Sequence, residues 1–254
     1  MDERCPVSTQ TTILPRSLGD VKPETGTPAS APEPLEDRVG ALLTRCQGDW
    51  ARPGNPEENS MLIWVSTADW QSRHFLLLDR DGVVNADHPD YIKHRGEFRF
   101  YQDSLEALAW LHRHNIGTIL ISNQSGLNRG LISWEDFWDI HACLIEGVER
   151  AGGAILGAFY CPHRPDEGCS CRKPLPGMLQ AAAARFRLPL AETWFLGDRE
   201  SDLLAASRAG CRGVLLDRVG DTAESLQRNP TWERVRTFRS LTEAVLTLSQ
   251  GWRS

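Results

Sequence analysis

Phe75-Leu76-Leu77-Leu78-Asp79-Arg80-Asp81-Gly82 decides the reading of this chain: an apolar run ends in an acid, a base, a second acid and a glycine. A short, wholly apolar run stopped by turn residues is what a strand buried on both faces of a parallel sheet requires, because crossover helices cover both faces. The pattern recurs at 118–123, 156–161, 193–198 and 213–217, and amphipathic stretches near 103–114, 134–151, 176–187 and 200–209 separate these runs. Strand alternating with helix predicts an α/β three-layer sandwich around a mainly parallel central sheet. Asp103 and Ser133 are the expected N-caps, and Gly210 the expected left-handed helix end.

Four of the runs end in reactive residues: Asp79, Ser122-Asn123, Cys161 and Asp198. Ligands of open parallel sheets bind beyond the carboxyl ends of the strands, so these four ends are expected to converge. A carboxylate can attack phosphorus and divide a hard hydrolysis into two steps, which makes Asp79 the candidate nucleophile. Asp81 suits the group that protonates the leaving alkoxide and later deprotonates water, and Gly82 permits a sharp turn and a close backbone approach. An acid approaching a phosphate dianion needs a hard cation between them; Asp198, Asp79 and the main-chain carbonyl of Asp81 are the expected Mg²⁺ ligands. Asp202 is either an acid behind these ligands or a favourable charge in the first turn of its helix. Ser122-Asn123-Gln124-Ser125-Gly126 offers a hydroxyl, amides and backbone N–H groups to phosphate oxygens, and Lys173 a compact positive charge.

Cys161-Pro162-His163 and Cys169-Ser170-Cys171 place four nitrogen and sulfur ligands in two pincers, which suits tetrahedral zinc. With four protein ligands the zinc is expected to be structural. It would fix the loop that presents Arg172 and Lys173. The other cysteines, Cys5, Cys46, Cys143 and Cys211, are scattered and are read as reduced thiols.

Apolar residues at 41% and charged residues at 24% describe an ordinary globular chain, and a net charge of −6 supplies no footprint for nucleic acid. No stretch approaches the roughly 20 apolar residues of a membrane span, and the first thirty residues lack a secretory core, so a cytoplasmic protein without membrane or nucleic-acid partners is expected. Residues 1–60 hold eight of the 15 prolines and are read as a mostly disordered tail, with a transient helix around Leu35 to Leu43; residues 61–254 are read as the folded domain, and Met61 as a possible start.

Asp79-Arg80-Asp81-Gly82, Ser122-Asn123-Gln124-Ser125-Gly126, Arg172-Lys173-Pro174 and Gly197-Asp198 together resemble the four motifs of the haloacid dehalogenase superfamily of phosphatases. The cysteine and histidine loop is similar to the branch that holds the heptose-bisphosphate and histidinol-phosphate phosphatases, and Ser125 through Gly130 and Pro174 through Met178 favour the heptose enzymes. The likeness spans roughly residues 74 to 218. It implies a Rossmann-like fold, Mg²⁺ dependence, Asp79 as nucleophile and Asp81 as proton donor. It further implies contacts to a small phosphorylated sugar from Asp87, His88, Tyr91, Ser122, Asn123, Gln124, Ser125, Arg129, Arg172, Lys173 and Arg199. The implied reaction removes the 7-phosphate of a heptose 1,7-bisphosphate on the route to ADP-heptose, in a monomer; histidinol phosphate or another small ester is the alternative. Arg199 stands where some relatives carry lysine, which keeps the charge and changes the hydrogen-bond geometry.

Overall fold

The computed structural model describes residues 48–51, 61–68, 70–226, 232 and 235–252. Eight strands form one sheet: β1 (Gly48–Ala51), β2 (Leu62–Ser66), β3 (His74–Leu78), β4 (Ile116–Asn123), β5 (Gly157–Cys161), β6 (Trp194–Gly197), β7 (Arg212–Leu216) and β8 (Arg236–Phe238). Their order is β1-β2-β5-β4-β3-β6-β7-β8. From β5 to β8 every neighbouring pair is parallel, while β1 and β2 add an antiparallel edge.

The chain steps from β3 outward to β4 and β5, then returns to the other side of β3 for β6, β7 and β8. That reversal opens a crevice beside the carboxyl end of β3, where crossovers depart in opposite directions. Asp79 follows directly on β3, and its N–H still pairs with the Leu196 carbonyl at 2.9 Å.

Alternation along the strands divides the core. Leu76, Leu78 and Leu120 face one layer with α1 (Gln102–Arg113), α2 (Trp134–Arg150) and α6 (Leu241–Leu248). Leu77, Ile119, Ile121 and Phe195 face the other, against α3 (Gly177–Phe186) and α4 (Glu200–Ala209). A short helix, α5 (Asp221–Leu226), follows β7. Burial of β4 from Ile116 to Ser122 on both faces explains why Ile119-Leu120-Ile121 at its centre is apolar without alternation.

Ser133 caps α2 by accepting the Asp136 N–H at 3.0 Å, and Gly210 ends α4 at φ 73°, both as expected. Asp103 does not cap α1. Tyr101 holds that position, and the Asp103 carboxylate instead accepts the Leu241 N–H at 2.7 Å and the Arg218 guanidinium at 2.8 Å. An acid in the first turn is already favoured by the helix dipole, which leaves its side chain available for tertiary contacts. The sheet also reaches beyond the expected strands: β1 lies inside the stretch read as tail, and the remainder of that stretch falls outside the described residues. Cys143, buried in α2, is disulfide-bonded, contrary to the expectation of a reduced thiol.

A Cβ on Gly147 would stand 2.4 Å from the ring of Phe100, closer than any carbon contact allows. Helix propensity alone favours Gly147→Ala, but the buried aromatic has no room to yield. Chemical denaturation should find the variant less stable by about 1–3 kcal/mol; a stabilised variant would show that the packing of α2 is wrong.

Candidate active site

Two acids far apart in the sequence, Asp79 and Asp202, meet around one buried cation, the Lys173 ammonium. It donates to the Ile121 carbonyl at 3.0 Å and pairs with Asp79 Oδ2 at 2.8 Å and Asp202 Oδ1 at 2.6 Å. Lys173 is 3% exposed, so these three acceptors replace its water. Its charged form is held above the ordinary lysine range: burial opposes this, and the Asp202 and Asp79 carboxylates outweigh burial. Asn123 positions the lysine backbone. Its Oδ1 accepts the Lys173 N–H and its Nδ2 donates to the Lys173 carbonyl, each at 3.1 Å.

The remaining oxygen of Asp79 accepts the Arg80 N–H at 2.7 Å, so both oxygens are fixed in direction. Asp79, Asp198 and Asp202 bring carboxylate oxygens within 4.8 Å of one another. Burial raises Asp79 to about 6, with Lys173 opposing and Asp202 adding to the rise. Burial, then Asp79 and Asp202, raise Asp198 to about 8. Asp198 Oδ1 is buried without a hydrogen-bond partner. Converging hard oxygens, one of them orphaned, fit a small divalent cation. Gly82 makes the approach possible: it lies at φ +80°, and a Cβ there would stand 2.1 Å from Asp198 Oδ2. The glycine therefore accommodates Asp198 itself.

The two readings of Asp202 both hold in part. It is 1% exposed and grips Lys173 from behind, while its other oxygen accepts the Arg199 N–H at the start of α4.

Asp81, expected to trade protons with the leaving group and water, has its carboxyl group fully engaged instead. Its oxygens accept from Arg80 Nε and Nη2, from Asn85 Nδ2 at 2.9 Å and from Gln124 Nε2 at 2.7 Å. Burial would raise its pKa, but the Arg80 charge and the hydrogen bonds from Asn85, Arg80 and Gln124 overcome it and hold the group anionic. The same contacts occupy Gln124, whose second donor goes to Ser122 Oγ and whose oxygen accepts from Arg80. Arg80 and Asn85 were not singled out from the sequence. The basic residue between two acids was the available signal, since a buried guanidinium there must find a carboxylate.

A cleft of about 360 Å³ opens over Asp79 and Asp81, and every residue expected to touch substrate lines it except Arg129, which is exposed outside it. Across its mouth Arg199 pairs with Asp87, and Tyr91 lies 3.3 Å from Ser125 Oγ. The cysteine loop runs directly into Arg172 and Lys173, which line the cleft. Cys161, His163, Cys169 and Cys171 gather their sulfur and Nδ1 atoms within 4.8 Å, with separations of 3.1 to 3.7 Å among the closest pairs. Such spacing fits the edges of a tetrahedron with metal bonds of about 2.1–2.3 Å. Arg172 is tied to that loop through its Nη1 and the His163 carbonyl at 3.0 Å.

A profile of the HAD-hydrolase-like family matches residues 170–244. The chain is 43% identical over 179 residues to the D-glycero-beta-D-manno-heptose-1,7-bisphosphate 7-phosphatase of Pseudomonas aeruginosa, covering 70% of this chain and 99% of that protein. It is 38% identical over 175 residues to the protein of the same name from Bordetella bronchiseptica, 69% of this chain and 97% of that one. The crystal structure of the B. bronchiseptica D,D-heptose 1,7-bisphosphate phosphatase with magnesium and phosphate superposes with a TM-score of 0.66 at 37% identity, covering 70% of this chain and 99% of that one.

In the folded protein Asp79 and Asp198 keep their protons up to about 6 and about 8, whereas the unfolded chain releases them near 3.8. The folded state thus binds more protons across this window, and metal-free protein should lose stability as pH rises from about 4 to about 8. A cation that requires ionised carboxylates reverses the trend. Thermal unfolding should show a larger Mg²⁺-induced rise in Tm near pH 8 than near pH 5; an equal rise at both would mean that the acid cluster does not hold the ion.

Proposed function

The chain belongs to the haloacid dehalogenase-like hydrolases, and from that membership we propose that it is a phosphatase removing the 7-phosphate of D-glycero-D-manno-heptose 1,7-bisphosphate in the cytoplasmic route to ADP-heptose. The observation that carries the reading is the fixed direction of Asp79, whose two oxygens are held by Lys173 and the Arg80 N–H at the floor of a cleft lined with Arg172, Arg199, His88 and Ser125.

Asp79 attacks the phosphorus in line, forming an aspartyl phosphate and releasing the sugar alkoxide. Asp81, once it exchanges its Arg80, Asn85 and Gln124 contacts over bound substrate and takes up a proton, gives that proton to the alkoxide, then takes one from the water that attacks the acyl phosphate and frees Asp79. Lys173 keeps Asp79 oriented and offsets charge on the transferring group. Asp79, Asp198 and the Asp81 main-chain carbonyl would hold Mg²⁺, which would supply neutralisation of the charge that a carboxylate meets on approaching a phosphate. Ser122, Ser125 and the N–H groups of their loop hold phosphate oxygens, while Asp87, His88, Tyr91, Arg172 and Arg199 meet the sugar and its second phosphate. Two bound arginines suit a substrate with a second phosphate better than one with an ammonium group, which separates the heptose reading from histidinol phosphate.

We assign a structural zinc ion to Cys161, His163, Cys169 and Cys171. All four positions are filled by protein, so no site remains for a reacting water.

Purified protein should release phosphate from heptose 1,7-bisphosphate faster than from histidinol phosphate, and Asp79→Asn should lower kcat by more than about 10³-fold with Tm retained. Faster release from histidinol phosphate would reassign the substrate, and substantial activity in Asp79→Asn would remove the nucleophile. Cys169→Ser or chelation should lower Tm and activity together, because the loop carries Arg172 and Lys173; metal analysis finding no zinc in reduced protein would contradict the assignment.

A further inference from the structure

Arg218, two residues beyond β7, takes no part in the chemistry above, yet it reaches back to the loop that follows the nucleophile. Its Nε donates to the Gly82 carbonyl at 3.2 Å, and its Nη2 to the Val83 carbonyl at 2.9 Å and to Ser104 Oγ at 2.8 Å. Nη1 pairs with Asp103 at 2.8 Å, and the ring centre of Tyr101 lies 3.7 Å from its guanidinium carbon. Arg218 is itself held in place. The preceding Asp217 carboxylate accepts the N–H groups of Gly220 and Ala223, each at 2.9 Å, which fixes the turn into α5.

The Gly82 backbone is where such a grip has consequences. Its α-carbon lies so close to the Asp198 carboxylate that no Cβ fits between them, and its φ of +80° is one that other residues resist. Moving the Gly82 carbonyl therefore changes the gap to Asp198 and re-aims the peptide of Asp81 immediately before it. A planar guanidinium can span two successive carbonyls in one orientation. A lysine ammonium cannot reproduce that fork.

We propose that Arg218 is a positioning residue: by gripping the Gly82 and Val83 carbonyls it sets the separation between the Asp79–Asp81 loop and Asp198, and with it the affinity of the acid cluster for its divalent cation. The inference rests on the phosphatase reading for its effect on turnover, but its effect on cation binding can be measured without substrate.

The experiment compares wild type, Arg218→Ala, Arg218→Lys and Asp103→Asn by thermal unfolding, by calorimetric titration with Mg²⁺ alone, and by kcat and KM on the bisphosphate. Arg218→Ala should weaken Mg²⁺ binding and lower kcat by about 10–100-fold with KM little changed, as loss of a group that orients metal ligands does. Arg218→Lys should recover only part of either loss. Asp103→Asn leaves the carbonyl bonds in place, so it should lower Tm while keeping Mg²⁺ affinity and kcat within about twofold of wild type. Wild-type Mg²⁺ affinity and kcat in Arg218→Ala would overturn the proposal. Should that variant not fold, the same result in Arg218→Lys would overturn it; so would Asp103→Asn matching Arg218→Ala in both quantities. A wild-type protein that binds Mg²⁺ but turns over no phosphate ester would instead count against the phosphatase reading.

Discussion

One buried ammonium group organises this site. Lys173 pairs with two of the three clustered carboxylates and offsets one negative charge; without it Asp79, Asp198 and Asp202 would crowd three acids, with no cation among them, into a space from which water is largely excluded. Removing one partner from such a cluster leaves an uncompensated buried charge, which costs about 3–5 kcal/mol. The lysine is consequently built in from several directions: by the Ile121 carbonyl in the buried part of β4, by the Asn123 amide along its backbone, and by the cysteine loop just before it. Even so it offsets only part of the acidic charge, and Asp198 keeps an unpartnered oxygen. The fold holds the cluster short of neutrality, an arrangement that suits a divalent cation.

A second, separate ion pair governs Asp81, the proposed proton donor. Arg80 and Gln124 keep Asp81 ionised and turned toward the side chains of the loop rather than toward the acid cluster. An acid held anionic in this way has no proton to donate, so under the proposed mechanism Asp81 exchanges these contacts for others over a bound substrate. The two acids of one tetrapeptide thus differ by environment. Burial raises Asp79, while a neighbouring guanidinium lowers Asp81.

Much of this was legible in the sequence, for a physical reason. A parallel strand buried on both faces writes itself as an apolar run, so β3 to β7 could be read directly, and the topology then required their ends to meet. The four zinc-type ligands were likewise legible from spacing. Elements that break the pattern were not. β2 is antiparallel and β8 is polar and lies at the edge, so neither follows the strand–helix alternation. α6 carried a usable signal in Ser240, which caps it by accepting the Glu243 N–H at 3.1 Å, ahead of Leu241, Ala244, Val245 and Leu248. The roles of Arg80, Gln124 and Arg218 depend on where guanidinium and amide groups point in three dimensions, which spacing does not encode; Arg218 lies 136 residues from the carbonyl it holds.

The most direct test asks which atom receives the phosphoryl group. An aspartyl phosphate trapped during turnover is reduced by borohydride to homoserine, and trypsin cutting after Arg73 and Arg80 isolates His74 to Arg80, a peptide in which Asp79 is the sole acid. Mass spectrometry should find homoserine at position 79 in that peptide, dependent on substrate and Mg²⁺. An unmodified peptide recovered from an enzyme in full turnover would contradict the account.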